Sequence, residues 1–188
     1  MTLPAGAAAL CGRWALRDEF VILEARFDAT RFLRTWAGWQ ADPHRCQRLF
    51  YIAFCAPSSP SPAVLDDGLP DTAALAQRLT QAWPVLTPGL HTLAFDQGQA
   101  SQFTLLLGAG EAGDLVPQLV ARVDAFWLDG VAPAPLAPHG DEAWLSRLAR
   151  LAAPGATAMA SSQAVQVRAG LAQSGFKPGP KDGAESDA

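Results

Sequence analysis

The sequence predicts an α/β fold built on a doubly wound, mostly parallel sheet. Short apolar runs at residues 20–23, 49–54 and 123–128 each end at a turn or loop, as parallel strands buried on both faces do. Segments with the spacing of amphipathic helices lie between these runs. An alternation of buried strands and helices is the pattern that a doubly wound sheet requires.

Each element has its own local signal. Phe32, Leu33, Trp36 and Trp39 recur at helical spacing and predict a helix over 30–40, with Thr30 as its N-cap. Prolines at either end predict a second helix over 70–83. The remaining predicted elements are strands over 90–95 and 103–107 joined by a turn, helices over 113–122, 141–152 and 163–174, and a strand over 155–160.

Composition limits the class of protein. At 188 residues we expect one domain over 1–176, followed by a disordered tail over 177–188 that has little to bury. The net charge of −4 argues against strong nonspecific nucleic-acid binding, although the first fifty residues carry seven Arg against five acidic residues. Three cysteines and three histidines lack metal-ligand spacing, and no apolar run is long enough for a membrane span. We therefore expect a cytoplasmic protein with reduced thiols, no metal and no membrane contact, and we expect its six Trp to pack in the core.

The second half of the chain carries a family pattern. Residues 123–136 read V-D-A-F-W-L-D-G-V-A-P-A-P-L, and A-P-G-A-T, V-R-A-G-L and S-G-F follow in order up to residue 176. This order and spacing resemble the methyltransferase domain of the bifunctional enzymes that complete 5-methylaminomethyl-2-thiouridine in tRNA. The likeness extends upstream to about residue 12. It implies a Rossmann-like class I methyltransferase fold, S-adenosylmethionine as cofactor and tRNA as substrate. In the family a flavin oxidoreductase domain follows, so a separate flavin oxidoreductase is a candidate partner here. We also expect the family's C-terminal strand pair to be lost.

The resemblance also implies the site residues. It places Glu24, Phe27, Gly108, Asp129 and Gly130 at the cofactor, and Asp129 beside the attacking amine as the catalytic carboxylate. A carboxylate suits that position because it can orient the amine or accept its proton. From the residues alone, an Asp before a Gly at the end of a strand can equally cap a turn.

Three cofactor motifs of the family are altered in this sequence. The family's first turn reads E-T-G-F-G-T-G-L-N-F-L, whereas residues 24–33 read E-A-R-F-D-A-T-R-F-L without a glycine. Phe54 falls where the family has the Glu that accepts the ribose hydroxyls, and L-G-A at 107–109 replaces L-F-G-D. We therefore expect weakened or lost S-adenosylmethionine binding, that is, a pseudoenzyme acting as a non-catalytic structural or protein-interaction module.

Two alternatives stay open. One is a working tRNA methyltransferase with an atypical pocket that uses Asp129. The other is a Rossmann-like binder of another nucleotide through Gly108, Gly110 and Gly113, which have G-x-G-x-x-G spacing.

Overall fold

The computed structural model describes residues 10, 12–58, 70–96, 101–128, 146–159, 171–173 and 175–176. Its strands are β1 (Glu19–Glu24), β2 (Arg48–Cys55), β3 (Gly89–Asp96), β4 (Gln102–Ala109), β5 (Val123–Trp127) and β6 (Ala152–Met159). The helices that the structure describes from end to end are α1 (Ala29–Ala41), α2 (Pro70–Ala82) and the short α3 (Ala112–Leu115), which a 3₁₀ turn at Val116–Gln118 follows. The six strands form one sheet in the order β3-β4-β2-β1-β5-β6, in which only β3 is antiparallel to its neighbour.

The sheet buries a separate apolar core on each face. Phe20 and Ile22 of β1 pack with the apolar side of α1, including Trp36 and Trp39. The alternate β1 residues, among them Leu23, pack on the other face with the segment after β4 and with the part of the chain before β6. Helices on both faces of a mostly parallel sheet confirm the predicted doubly wound α/β class.

Several predicted elements are confirmed and others are wrong in their bounds. Both predicted helices before β3 and the antiparallel pair β3–β4 are present. The N-cap of α1 is not Thr30, because the Asp28 side chain accepts the Arg31 N–H at 3.0 Å. The helix predicted over 113–122 is replaced by α3 and the 3₁₀ turn, since Pro117 supplies no N–H for the next α-helical hydrogen bond.

The last described strand begins three residues earlier than predicted. β6 starts at Ala152, so the helix predicted over 141–152 overran into the strand, and 146–149 is its described helical part. The helix predicted over 163–174 is described only at 171–173, where Gly175 follows with φ +92°. The tail at 177–188 lies outside the described residues, and the domain boundary stays a prediction.

Two expectations about composition, buried Trp side chains and free thiols, can be checked on the described residues. Trp14, Trp36, Trp39 and Trp127 are buried, which confirms the core role predicted for them. Cys46 and Cys55 are free thiols. Within the described ranges, no three His, Cys, Asp or Glu side chains are grouped as metal ligands, and no helix is both long and apolar enough to cross a membrane.

Candidate functional site

The strand order places a crevice at the carboxyl ends of β1 and β5. From β1 the chain proceeds to β2 and β4 on one side, and β5 then pairs with β1 on the other side. Ligands of doubly wound sheets bind at such a reversal of strand order. Glu24 and Trp127, the last residues of the two strands, are register partners and flank this switch point.

Glu24 is a fully buried carboxyl group whose oxygens are occupied by donors from the chain itself. Oε2 accepts the Tyr51 hydroxyl at 2.9 Å and the Asp28 N–H at 3.0 Å, and Oε1 pairs with Arg31 Nη1 at 2.9 Å. Burial raises the pKa of Glu24 to about 7, although all three donors oppose the shift. Burial and the nearby Glu24 charge also raise the pKa of Tyr51. The carboxyl group therefore stands at the centre of a closed polar cluster.

The turn from β1 into α1 is held by its own backbone donors. The Ala25 N–H donates to the Trp127 carbonyl at 2.9 Å, and the Phe27 N–H donates to the Phe54 carbonyl at 2.7 Å. Together with the Asp28 N–H on Glu24, these bonds pin the turn to the ends of β1, β2 and β5. No turn residue has a positive φ, since Leu16 is the one non-glycine residue of the described chain that does. The turn thus forms without the glycines of the family motif.

The Arg31 side chain extends from the first turn of α1 to the switch point. Its guanidinium carbon lies 5.4 Å from the centre of the Trp127 ring, while Nη1 pairs with Glu24. The Arg31 side chain is 30% exposed, whereas that of Glu24 is 0% exposed. A cation that lies between a carboxylate and an aromatic face is attracted to both groups. The Arg31 guanidinium therefore stabilises the ionised form of Glu24.

The end of β2 presents a phenyl ring instead of an acid. Phe54 is 3% exposed and lies against Gly108 of β4, its register partner. A Cβ on Gly108 would lie 2.7 Å from Phe54 Cδ1 and 3.0 Å from Leu115 Cδ1. Apolar side chains therefore fill the space beside the ends of β2 and β4, and the Phe54 side chain has no atom that can accept a hydrogen bond from a ribose.

The glycines after β4 are also part of this packing. The Gly110 N–H donates to the Cys55 carbonyl at 2.9 Å, and the Leu115 side chain lies 3.5 Å from where a Gly110 Cβ would be. Gly110 has φ +145°, a conformation that favours glycine. The G-x-G-x-x-G spacing therefore coincides with a turn whose middle glycine is needed by the backbone and whose N–H already has an acceptor.

The structure places the predicted site residues as follows. Glu24 lies at the switch point. Phe27 shares its turn but packs its ring on Phe32 and Trp83, with centroids 5.7 and 5.4 Å away. Gly108 lies two strands away from Glu24, on β4, where it contacts the Phe54 ring. Asp129 and Gly130 fall outside the described residues.

Sequence reasoning missed the three residues that complete the cluster around Glu24: Arg31, Tyr51 and Trp127. Tyr51 was detectable in principle, because it lies in the strand that pairs with β1 and is buried with an acid nearby. Arg31 gives no such signal, since its seven-residue distance from Glu24 is bridged only through the shape of the turn.

Comparison with known proteins identifies the family. Residues 70–185 match the family described as S-adenosyl-L-methionine-dependent methyltransferase. The chain is 45% identical over 181 residues to the tRNA 5-methylaminomethyl-2-thiouridine biosynthesis bifunctional protein MnmC of Methylibium petroleiphilum, covering 91% of this chain and 26% of that protein. The protein of the same name in Paraburkholderia xenovorans is 40% identical over 189 residues, with 93% and 27% covered. This chain thus spans about a quarter of the length of these relatives.

A solved structure supports the same fold. The crystal structure of MNMC2 from Aquifex aeolicus superposes with a TM-score of 0.62 at 16% identity, covering 93% of this chain and 53% of that one. At this identity the likeness concerns the fold alone, and it confirms the Rossmann-like architecture predicted from the sequence. S-adenosylmethionine, the cofactor that the sequence resemblance implied, is the cofactor that the family match implies as well. The chain belongs to the family of S-adenosyl-L-methionine-dependent methyltransferases.

Proposed function

We propose that this chain is a divergent domain of the tRNA-modifying branch of the family, with S-adenosylmethionine binding weakened to the point that it serves as a non-catalytic module. The observation that carries the proposal is the turn after β1. Its N–H groups at Ala25, Phe27 and Asp28 and the carboxylate of Glu24 all have partners within the chain. A ligand at the switch point would have to replace these internal bonds before it gained any of its own.

The altered contacts indicate how far the affinity for S-adenosylmethionine is reduced. Each buried hydrogen-bonding acid that is missing beside a ligand weakens binding by about 1–3 kcal/mol. Two such acids, the one replaced by Phe54 and the one absent from residues 107–109, lower the affinity by between about 30-fold and about 10⁴-fold. The described residues therefore do not fit the cofactor well.

The experiment is a calorimetric titration of the chain with S-adenosylmethionine and S-adenosylhomocysteine. The matched positive control is the corresponding domain of the Methylibium petroleiphilum relative under the same conditions. We expect no heat and no thermal stabilisation of this chain at millimolar ligand, while the relative binds. Micromolar binding by this chain would overturn the proposal.

The second candidate is a working methyltransferase that acts on tRNA. Its support is the 45% identity to a protein named for 5-methylaminomethyl-2-thiouridine biosynthesis in tRNA, together with Asp129 in the retained L-D-G sequence. This candidate predicts methyl transfer from S-adenosylmethionine to tRNA that carries 5-aminomethyl-2-thiouridine, abolished in Asp129→Ala. Absence of transfer at saturating cofactor, with the relative active in parallel, would remove it.

A further inference from the structure

We propose that the switch point of this chain is a cation-binding subsite that its own Arg31 occupies, so that Arg31 acts as an internal plug. This deepens the proposed function, because it names what fills the site where the family's cofactor would lie. The subsite comprises the Glu24 carboxylate, the Tyr51 hydroxyl and the face of the Trp127 ring. The class of ligand it accepts is a guanidinium or a small alkylammonium ion.

The first argument is the immobility of the acid. The Glu24 side chain is 0% exposed, and the Tyr51 hydroxyl and the Asp28 N–H both hold its Oε2. These two donors fix the carboxylate in place but leave its charge without a counter-ion. A buried carboxylate without a cation is strongly unfavourable. The ionised form, which Glu24 reaches above its pKa of about 7, therefore requires a cation beside Oε1, and Arg31 Nη1 meets that oxygen at 2.9 Å.

The second argument is that the cation lies on a flexible type of side chain and not on the strands. Arg31 reaches the crevice on a long side chain that keeps 30% of its surface exposed. Rotation of that side chain into solvent would uncover Glu24 and Trp127 without moving either strand. The carboxylate and the ring stay where they are, since each belongs to the last residue of a hydrogen-bonded strand.

The third argument is selectivity. Trp127 presents the face of its ring to the guanidinium at 5.4 Å, and an aromatic face attracts a weakly hydrated cation more than a strongly hydrated one. A subsite that is negative on one side and aromatic on the other rejects phosphate and carboxylate groups. It should therefore discriminate between methylguanidinium and sodium ions at the same concentration.

The test uses Arg31→Ala, which removes the plug and leaves the subsite. The matched control is Arg78→Ala, because Arg78 lies over the ring of Trp36 at 4.9 Å in a comparable stacking contact. Thermal unfolding is followed at a pH well above 7, where Glu24 is ionised, with methylguanidinium chloride and with sodium chloride at equal ionic strength. At about four times its dissociation constant, methylguanidinium should raise the Tm of Arg31→Ala by about 2–4 °C. It should not raise the Tm of the unchanged chain or of Arg78→Ala.

A double variant ties the effect to the acid. In Glu24→Gln/Arg31→Ala the cavity remains but the charge is gone, and methylguanidinium should no longer raise the Tm. If Arg31→Ala does not fold unaided, its yield of refolded protein from urea, measured with and without methylguanidinium, replaces the Tm as the readout. Equal Tm or equal yield with the two salts, or the same rise in the double variant, would overturn the proposal.

These outcomes separate the subsite from the proposed function. Micromolar binding of S-adenosylmethionine by the unchanged chain would contradict the proposed loss of cofactor, while rescue of Arg31→Ala would still establish the cation subsite. Conversely, a failed rescue would remove the plug and leave the calorimetric result as it stands.

Discussion

Replacing Glu24 by glutamine should remove a large pH dependence from the stability of the fold. The pKa of Glu24 is raised from 4.5 to about 7, chiefly by burial. At about 1.4 kcal/mol per pH unit, that difference corresponds to about 3 kcal/mol of linked free energy of unfolding. Few other single groups in the described chain are placed to give an effect of this size.

The sign follows from which state holds the proton. Between pH 4.5 and 7 the folded chain keeps Glu24 protonated, whereas the unfolded chain has released the proton. The stabilisation is therefore complete below about pH 4.5, and it is lost as the pH rises through about 7. The amide that replaces the carboxyl group in Glu24→Gln cannot titrate. The free energy of unfolding of the unchanged chain, minus that of the variant, should therefore fall by about 3 kcal/mol across this window.

Urea unfolding at a series of pH values and constant ionic strength measures this difference. Glu24→Gln alters one ionisable group, so contributions that the two proteins share cancel on subtraction. The control is Glu19→Gln on the same strand, because Glu19 is exposed and its pair with Arg48 spans 3.4 Å at the surface. Its difference from the unchanged chain should be small and flat with pH. A Glu24→Gln difference that is constant, or that grows as the pH rises, would show that the Arg31 ion pair outweighs burial and would refute the reasoning.

Three further changes test the geometry around the site by urea unfolding. Gly108→Ala should lower the free energy of unfolding by about 1–3 kcal/mol, because its Cβ would lie 2.7 Å from the Phe54 ring, whereas Gly113→Ala, with nothing within 4 Å, should not destabilise the chain. An equal effect of the two alanines would contradict the contact. Asp28→Ala should lower the free energy of unfolding by about 1 kcal/mol and Asp28→Gly by only about a few tenths, as expected for an N-cap. Equal losses in the two variants would argue against the cap. Asp124→Ala should lower the free energy of unfolding by about 1.5–3 kcal/mol, because the hydrogen bonds from Arg17 and from the Val21 N–H are lost. An unchanged free energy of unfolding would show that these hydrogen bonds contribute nothing to stability.

The fold was predictable because it depends on patterns that repeat over many residues. The buried runs of β1, β2 and β5 and the spacing of Phe32, Trp36 and Trp39 indicate which faces are apolar, and each signal is supported by its neighbours. The errors occurred where one residue decides the outcome. Pro117 ended a helix that the apolar spacing would have continued, and Asp28 took the capping position from Thr30.

The site was predictable only as far as the resemblance reached. It directed attention to Glu24 and to Phe54, but the side chains of Arg31 and Tyr51 that contact Glu24 lie on two other elements, α1 and β2. Such contacts depend on side-chain direction across the sheet, which no local spacing encodes. The amino end of the sheet illustrates the same difficulty, because Arg13 bonds the carbonyls of Asp124 and Gly155, more than a hundred residues away.

The fold and the site can diverge independently because they depend on different atoms. The turn after β1 bonds to neighbouring strand ends through the N–H groups of Ala25 and Phe27, and a backbone N–H is present whichever side chain the residue carries. The α1 side chains that pack in the core begin at Phe32, and Arg26 and Asp28 are not among the core residues. Glycines can therefore be lost from this turn with little effect on the fold, provided that the buried Glu24 has a counter-ion when it is ionised. Arg31 meets that requirement, and in doing so it places a side chain where a ligand's cation would lie.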